Sequence, residues 1–370
     1  MCKKIVFVSG SRSDFGLIQS IIRGSMKDDR FKPYLIRVGH SNLDDIDFLT
    51  GDFKKIKTFK IITEKGIKPL GNEMDTTLSI AQIITKTTPI INQIKPDILF
   101  VPGDRFEILS VAISAYYQRI PIAHIFGGDK SEGGHLDDSI RHAITKISHL
   151  HFPVCEDSYK RIKNLGEEEW RIFNYGSPVV DNLKNSLFKR IVNCDYAVLT
   201  YHPITSSPLK SSIELDIILK VLKKTALKIY ITSPNNELGS NEILNKIIFY
   251  TKKYKNLIYV GNLGWEKYLN YVKYSKFSIG NSSSNLLESP ILGVPSIDIG
   301  DRQKGRFKPK SVLSVKCNKK DIKNAIENIL KGNIKKDTKV YGKGNVSYNI
   351  LNVIYKNLKR DDLLIKKVTY

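Results

Sequence analysis

Little in this chain would staple it from outside. Its four cysteines, Cys2, Cys155, Cys194 and Cys317, are far apart and form no C-x-x-C pair, which argues against a disulfide framework and a metal knuckle. No stretch approaches the ~20 consecutive apolar residues of a membrane span. The apolar run at 5–8 is too short for a signal peptide and passes at once into polar residues. Acidic residues are also scarce, 37 against 59 basic ones, for a net charge of +22. The lysines are scattered through Lys-, Asn- and Ile-rich stretches, with no dense basic tail, zinc-finger spacing or interleaved aromatics. The expectation is therefore no nucleic-acid and no membrane partner, and a small anionic substrate that profits from the field. What remains is a 370-residue chain, 41% hydrophobic and 26% charged, long enough for two domains of a reduced, cytoplasmic enzyme.

What is present is a repeating alternation. Short apolar runs at 5–8, 33–38, 98–101, 121–125 and 149–153 each pass into a polar loop, and most then into a helical pattern. The second half repeats this with runs at 196–200, 228–232, 257–260 and 276–279 and a short strand after Pro295. The pattern predicts an α/β protein of two Rossmann-like domains with the active site in the cleft between them. The boundaries are expected at 1–190 and 191–345, with 346–370 a C-terminal helix crossing back onto the first domain. Residues 39–71 read as a long polar loop. The first loop, Ser9 to Asp14, has one glycine where a dinucleotide fingerprint has three, so no nicotinamide site is expected.

Polar residues gather where such sheets bind ligands, at the carboxyl ends of strands. In the first half these are Arg12 and Asp14, His40, Asp104 and Arg105, and then Asp129, Glu132 and Asp137. One such carboxylate serves as an N-cap; a ring of them suggests acid–base chemistry. In the second half the informative stretch is 278–296. Gly280-Asn281-Ser282-Ser283-Ser284 reads as a tight polar turn between a buried strand and a helix starting at Asn285. A glycine there admits a ligand close to the backbone, and serines with free N–H groups at a helix start favour phosphate. Glu288 follows at a distance suited to ribose hydroxyls, and the loop at 298–306, with Arg302, adds positive charge.

Seven stretches occur in a recognisable order: Ser9 to Asp14, Gly103 to Glu107, His124 to Asp129, Asp137 to Ala143, His202-Pro203, Gly280 to Ser283, and Gly300 to Arg306. In them the chain resembles the hydrolysing UDP-N-acetylglucosamine 2-epimerases that open sialic- and legionaminic-acid synthesis, over roughly residues 3–355. The resemblance implies a GT-B-like fold, a homodimer or homotetramer, and chemistry that needs no metal and no cofactor. It implies that His202, Ser282 and Ser283 bind the diphosphate and Glu288 the ribose, that Arg12 lies beside the leaving group, and that Asn235 lies near the nucleotide. Asp104, Asp129 and Asp137 match acidic positions around the sugar. Many relatives carry a glutamate where this chain has Phe126, which cannot transfer a proton. The acid–base role is therefore expected from Asp129, Glu132 and Asp137, with Phe126 either marking a less polar, 6-deoxy sugar or facing the core. A non-hydrolysing epimerase and a GT-B glycosyltransferase are the competing readings.

Overall fold

The computed structural model describes residues 2–39, 51–63, 73–130, 135–204, 207–235 and 239–369. The chain divides into two compact units, one of Met1–Lys184 with Tyr341–Tyr370, the other of Asn185–Val340. Each is built on one six-stranded sheet. The first sheet contains β1 (Lys3–Ser9), β2 (Phe31–Gly39), β3 (Lys57–Ile62), β4 (Ile98–Pro102), β5 (Ile122–Ile125) and β6 (Leu150–Phe152) in the order β3-β2-β1-β4-β5-β6. The second contains β7 (Tyr196–Thr200), β8 (Lys228–Thr232), β9 (Leu257–Gly261), β10 (Ser278–Gly280), β11 (Ser296–Ile299) and β12 (Val312–Val315) in the order β12-β11-β10-β7-β8-β9. Every strand pairing in both sheets is parallel. Counted within its own unit, each sheet has the same doubly wound order. In each, the order reverses beside the unit's first strand, between β1 and β4 and between β7 and β10, and such a reversal opens a crevice.

Burial on both faces explains the uninterrupted apolar runs. Ile5 and Phe7 join one buried cluster with Ile98 and Phe100, whereas Val6 and Val8 join another with Leu99 and Val101. Successive side chains leave a strand on opposite sides, so a strand covered on both sides has no polar alternation. In the second unit Leu199, Ile231, Ile279 and Ile297 fill one face. The phenol rings of Tyr196, Tyr230 and Tyr271 meet one another at 5.1 to 6.3 Å between centroids.

The last helix, Val346–Asn357, belongs to the first unit. It buries Val346, Ile350, Leu351 and Ile354 in the cluster around Phe7. Asp181 receives the N–H groups of Val346 and Ser347 at 3.2 and 2.7 Å, supplying the helix start that Asn345, at φ +58°, does not cap.

Two expected features differ. The stretch 39–71 is not simply loop, since it contains the edge strand β3 after a 3-10 turn at Gly51–Lys55. The helix expected from Asn285 onward is a 3-10 turn, Ser283–Asn285, followed by the four-residue helix Glu288–Ile291. Gly293, at φ +74°, ends it after Pro290. Among the described residues no helix is long and apolar enough to cross a membrane, and no group of three or more His, Cys, Asp or Glu is placed to hold a metal ion.

Candidate active site

In the second unit the expected residues converge on the reversal between β7 and β10. Gly280 pairs with Thr200 at φ +134°, and a Cβ on it would lie 2.0 Å from the Thr200 carbonyl oxygen. Only glycine permits that approach. The next residue, Asn281, is fully buried. Its Oδ1 accepts the His202 N–H at 2.7 Å and its Nδ2 donates to the His202 carbonyl at 2.8 Å. Its own carbonyl receives Arg302 Nη1 at 3.3 Å and Gln303 Nε2 at 2.9 Å. Asn281 thus ties together the loops leaving β7, β10 and β11.

This clamp fixes the chemistry of His202. Nδ1 accepts the Asn235 backbone N–H at 3.1 Å, so the proton of the neutral ring sits on Nε2. Burial, helped by the positive Arg302, holds the imidazole down to about 3, and it stays neutral near pH 7. Ser282 accepts the Ser284 N–H at 3.4 Å, while Ser283 is exposed. The N–H groups of Ser282 and Ser283 meet no protein acceptor among the described residues. Nε2–H, two amides, the Ser283 hydroxyl and the Arg302 guanidinium make a donor-rich patch, the environment an anion requires. Because the helix here has four residues, these local donors replace the helix dipole as the physical basis of the seat. Tyr268 donates to Ser284 Oγ at 2.8 Å. Glu288 is half-buried, and burial raises its carboxyl above the usual range.

In the first unit the acidic residues gather at the reversal between β1 and β4. Arg12 is the first residue of helix Arg12–Met26, and Ser11 caps that helix by accepting the Asp14 N–H at 3.1 Å. Asp14 in turn receives the Gly10 N–H at 3.2 Å. Its carboxylate lies 3.9 Å from Arg105, which bonds Glu107 at 2.6 Å. Burial outweighs that arginine and raises Asp14 to about 6. Asp104 is paired with Arg141, a nearly buried residue that also pairs with Asp138 and donates to the Asp129 carbonyl at 2.7 Å. Desolvation and then the Asp104 charge raise the Asp137 carboxyl. The Asp129 carboxylate takes the Ser158 hydroxyl at 2.5 Å. His40 and Glu132 lie outside the described residues.

Three residues that the motifs contained had no assigned role. Arg141 sits one helical turn after Asp138, a spacing that marks an ion pair. His124 donates from Nε2 to the Gly103 carbonyl at 2.8 Å and meets Thr145 Oγ with Nδ1 at 3.2 Å. Buried, with its pKa pushed down to about 3, it is a neutral brace for the Asp104 loop. The third, Asn281, gave no sign of its clamp because its partners are 79 residues away. Phe126 is buried in the core cluster with Phe152, at φ +66°. The core-facing alternative is therefore the one the structure supports, and the ring gives no information about the sugar.

Residues 54–355 match the family described as UDP-N-acetylglucosamine 2-epimerase. The chain belongs to that family. It is accordingly an enzyme of the nucleotide-sugar 2-epimerases. Among its relatives, the GDP/UDP-N,N'-diacetylbacillosamine 2-epimerase (hydrolyzing) of Campylobacter jejuni is 35% identical over 344 residues, covering 88% of this chain and 87% of that protein. The polysialic acid biosynthesis protein P7 of Escherichia coli is also 35% identical, over 348 residues, covering 88% and 85%. The crystal structure of UDP-GlcNAc 2-epimerase from Neisseria meningitidis bound to UDP-GlcNAc superposes with a TM-score of 0.79 at 19% identity, covering 96% of this chain and all of that one. That likeness gives the 2-epimerase a GT-B-like fold.

Proposed function

We propose that this 2-epimerase is hydrolysing. It converts a UDP-linked 2-acetamido sugar, in the first instance UDP-N-acetylglucosamine, to the free 2-epimer and UDP, for nonulosonic acid synthesis. The observation that carries the reading is the donor patch around His202, Asn281 and Ser283, which suits a diphosphate leaving group and holds its donors in place before charge develops. In the reaction the C1–O bond to the diphosphate breaks and its electron pair leaves with the phosphate. A carboxylate takes the C2 proton, giving a glycal. Water then adds its oxygen at C1, and C2 is protonated from the other face. No carbonyl acidifies C2, so departure of the diphosphate leads, and each preorganised donor is worth about 3–4 kcal/mol in the barrier. The proton transfer adds about 10²–10⁴-fold.

Asp104, Asp129, Glu132 and Asp137 are the proposed sugar-side acids and bases. Asp137 is favoured for proton transfer, since it is exposed and its raised carboxyl draws it toward neutral pH. Asp104 is engaged by Arg141 and Asp129 by Ser158. Asp137→Asn is expected to lower kcat at least about a hundredfold with UDP affinity kept; a wild-type rate removes it from the mechanism.

A second substrate, a UDP- or GDP-linked 2,4-diacetamido-2,4,6-trideoxy sugar, is supported by the name of the Campylobacter relative, which matches this chain as well as the polysialic acid protein does. The deciding experiment is an NMR time course in heavy water with each nucleotide sugar alone. Free UDP with a 2-epimeric sugar deuterated at C2 supports the reading. Return of an intact nucleotide sugar would indicate non-hydrolysing epimerisation, and release of UDP only with an acceptor a glycosyltransferase.

A further inference from the structure

The first unit holds a second charged cluster, built on a buried carboxylate, that the proposed chemistry leaves unused. Glu167, 1% exposed, takes Lys146 Nζ on one oxygen at 2.7 Å. Its other oxygen takes Lys366 Nζ at 2.7 Å and His151 Nε2 at 3.1 Å. Lys366 Nζ also donates to the Lys146 carbonyl at 2.6 Å and meets that of Thr145 at 3.5 Å. Those carbonyls end the helix His135–Ile147, where a cation satisfies unpaired oxygens and opposes the negative end of the helix dipole.

The segment that brings Lys366 there is fixed along its length. Arg171, with no exposed surface, donates to the carbonyls of Leu363 at 2.8 Å and Ile365 at 2.5 Å. Arg171 and Arg360 lie over the Trp170 ring at 4.1 and 3.8 Å. The Lys367 N–H reaches the Glu168 carboxylate and the Thr369 N–H the Gly166 carbonyl, both at 3.2 Å. Leu363 is buried in the core. A tail with no task beyond its own packing has no need to place a half-buried ammonium on a helix end.

The first two turns of that helix carry Asp137, Asp138 and Arg141, and its Thr145 meets His124, the brace of the Asp104 loop. A helix of 13 residues moves as a rod, so a shift at one end displaces side chains at the other. We propose that Lys366 is a positioning residue: with the segment 360–369 it clasps the end of helix His135–Ile147 and so sets Asp137 and Arg141 against Asp104. The proposal rests on the function assigned above, in which those carboxylates face the sugar.

Two variants test it, Lys366→Met and a chain stopped after Ile365, which keeps the carbonyls that Arg171 binds. Each is assayed on whichever nucleotide sugar the wild type turns over, and by amide hydrogen exchange of the 135–147 segment without substrate. The expected result is kcat lower by about tenfold or more with KM within twofold, because misplacement by about 1 Å costs up to 10²-fold. Faster exchange in 135–147 is expected alongside, and Lys366→Arg should recover part of the rate. A folded variant with wild-type kcat, or one in which only KM changes, overturns the proposal. Loss of folding in both variants does so too, by making the segment part of the fold's stability. If the wild type turns over none of the sugars, the functional reading fails, whereas unchanged exchange in 135–147 rejects the clasp by itself.

Discussion

Asn281 and Ser283 stand two residues apart and do opposite work. The Asn281 amide is spent inward, bonding the His202 backbone in both directions with no exposed surface. Ser283 has an exposed hydroxyl and an amide with no protein acceptor among the described residues. Their variants should therefore separate stability from binding. Asn281→Asp replaces a donor by an acceptor facing the His202 carbonyl, and should cost the fold about 2–3 kcal/mol, the usual penalty for a buried group left unpaired. It should also weaken UDP binding, because the ring of His202 loses its frame. Ser283→Ala removes a hydroxyl that bonds no protein group among the described residues. It should leave Tm unchanged while UDP affinity falls about ten- to a hundredfold, the contribution of one hydrogen bond to a charged group. Calorimetric titration with UDP and thermal melts of both variants check this. Wild-type affinity in Ser283→Ala would take the diphosphate seat away from this turn.

At the scale of elements, the turn after β10 depends on one backbone geometry. Gly280→Ala would place a methyl group 2.0 Å from the Thr200 carbonyl oxygen, at φ +134°. The two strands would have to separate where their loops form the seat. Loss of UDP binding in a folded protein is expected, measured by the same titration; retained affinity would mean that the strand ends are not coupled as described. The strands that the sequence reading found and missed follow the same logic of burial. Runs such as Ile98–Pro102 are wholly buried and stand out as unbroken apolar stretches. The strands it did not recover, β3 and β12, are edge strands. In β3 the lysines at 57 and 60 break the apolar run, and β12 is only four residues long with Ser314 inside it, so neither shows the unbroken apolar stretch of a central parallel strand. The helix expected at Asn285 was overcalled because its apolar residues have helical spacing, while Pro290 and Gly293 cut it short. Candidate site residues were legible wherever a polar residue follows a buried run directly, as Asp104 and His202 do. Roles set by distant partners, as for Arg141, His124 and Asn281, required the fold.

For the whole molecule, four histidines buried among the described residues set the response to acid. Burial holds His124, His149 and His202 down to about 3 and His151 to about 4, against 6.5 unfolded. A histidine kept neutral in the fold binds its proton only on unfolding. Stability rises with pH between the folded and unfolded values and is lost as pH falls below about 6.5. At pH 5 each contributes a loss on the order of 2 kcal/mol. Asp14, raised to about 6, acts in the opposite direction over the carboxylate range, as do Asp137, Glu288 and Asp298, whose carboxyls burial also raises. These offset part of the loss, while Glu167, held down to about 2, adds to it. The net charge of +22 adds self-repulsion as carboxylates protonate, and the second unit carries most of that excess although it is the shorter. Ordinary domain stability is about 5–15 kcal/mol, so the protein should unfold near pH 5, well above the range where carboxylates alone would drive acid denaturation. Thermal melts from pH 7.5 to 4.5 at fixed ionic strength test this. Tm should hold above pH 6.5 and then fall steeply, and the fall should persist at high salt because buried imidazoles are little screened. A flat Tm down to pH 5 would mean that these rings find their protons in the folded state, and the neutral Nε2 donor assigned to His202 would lose its basis.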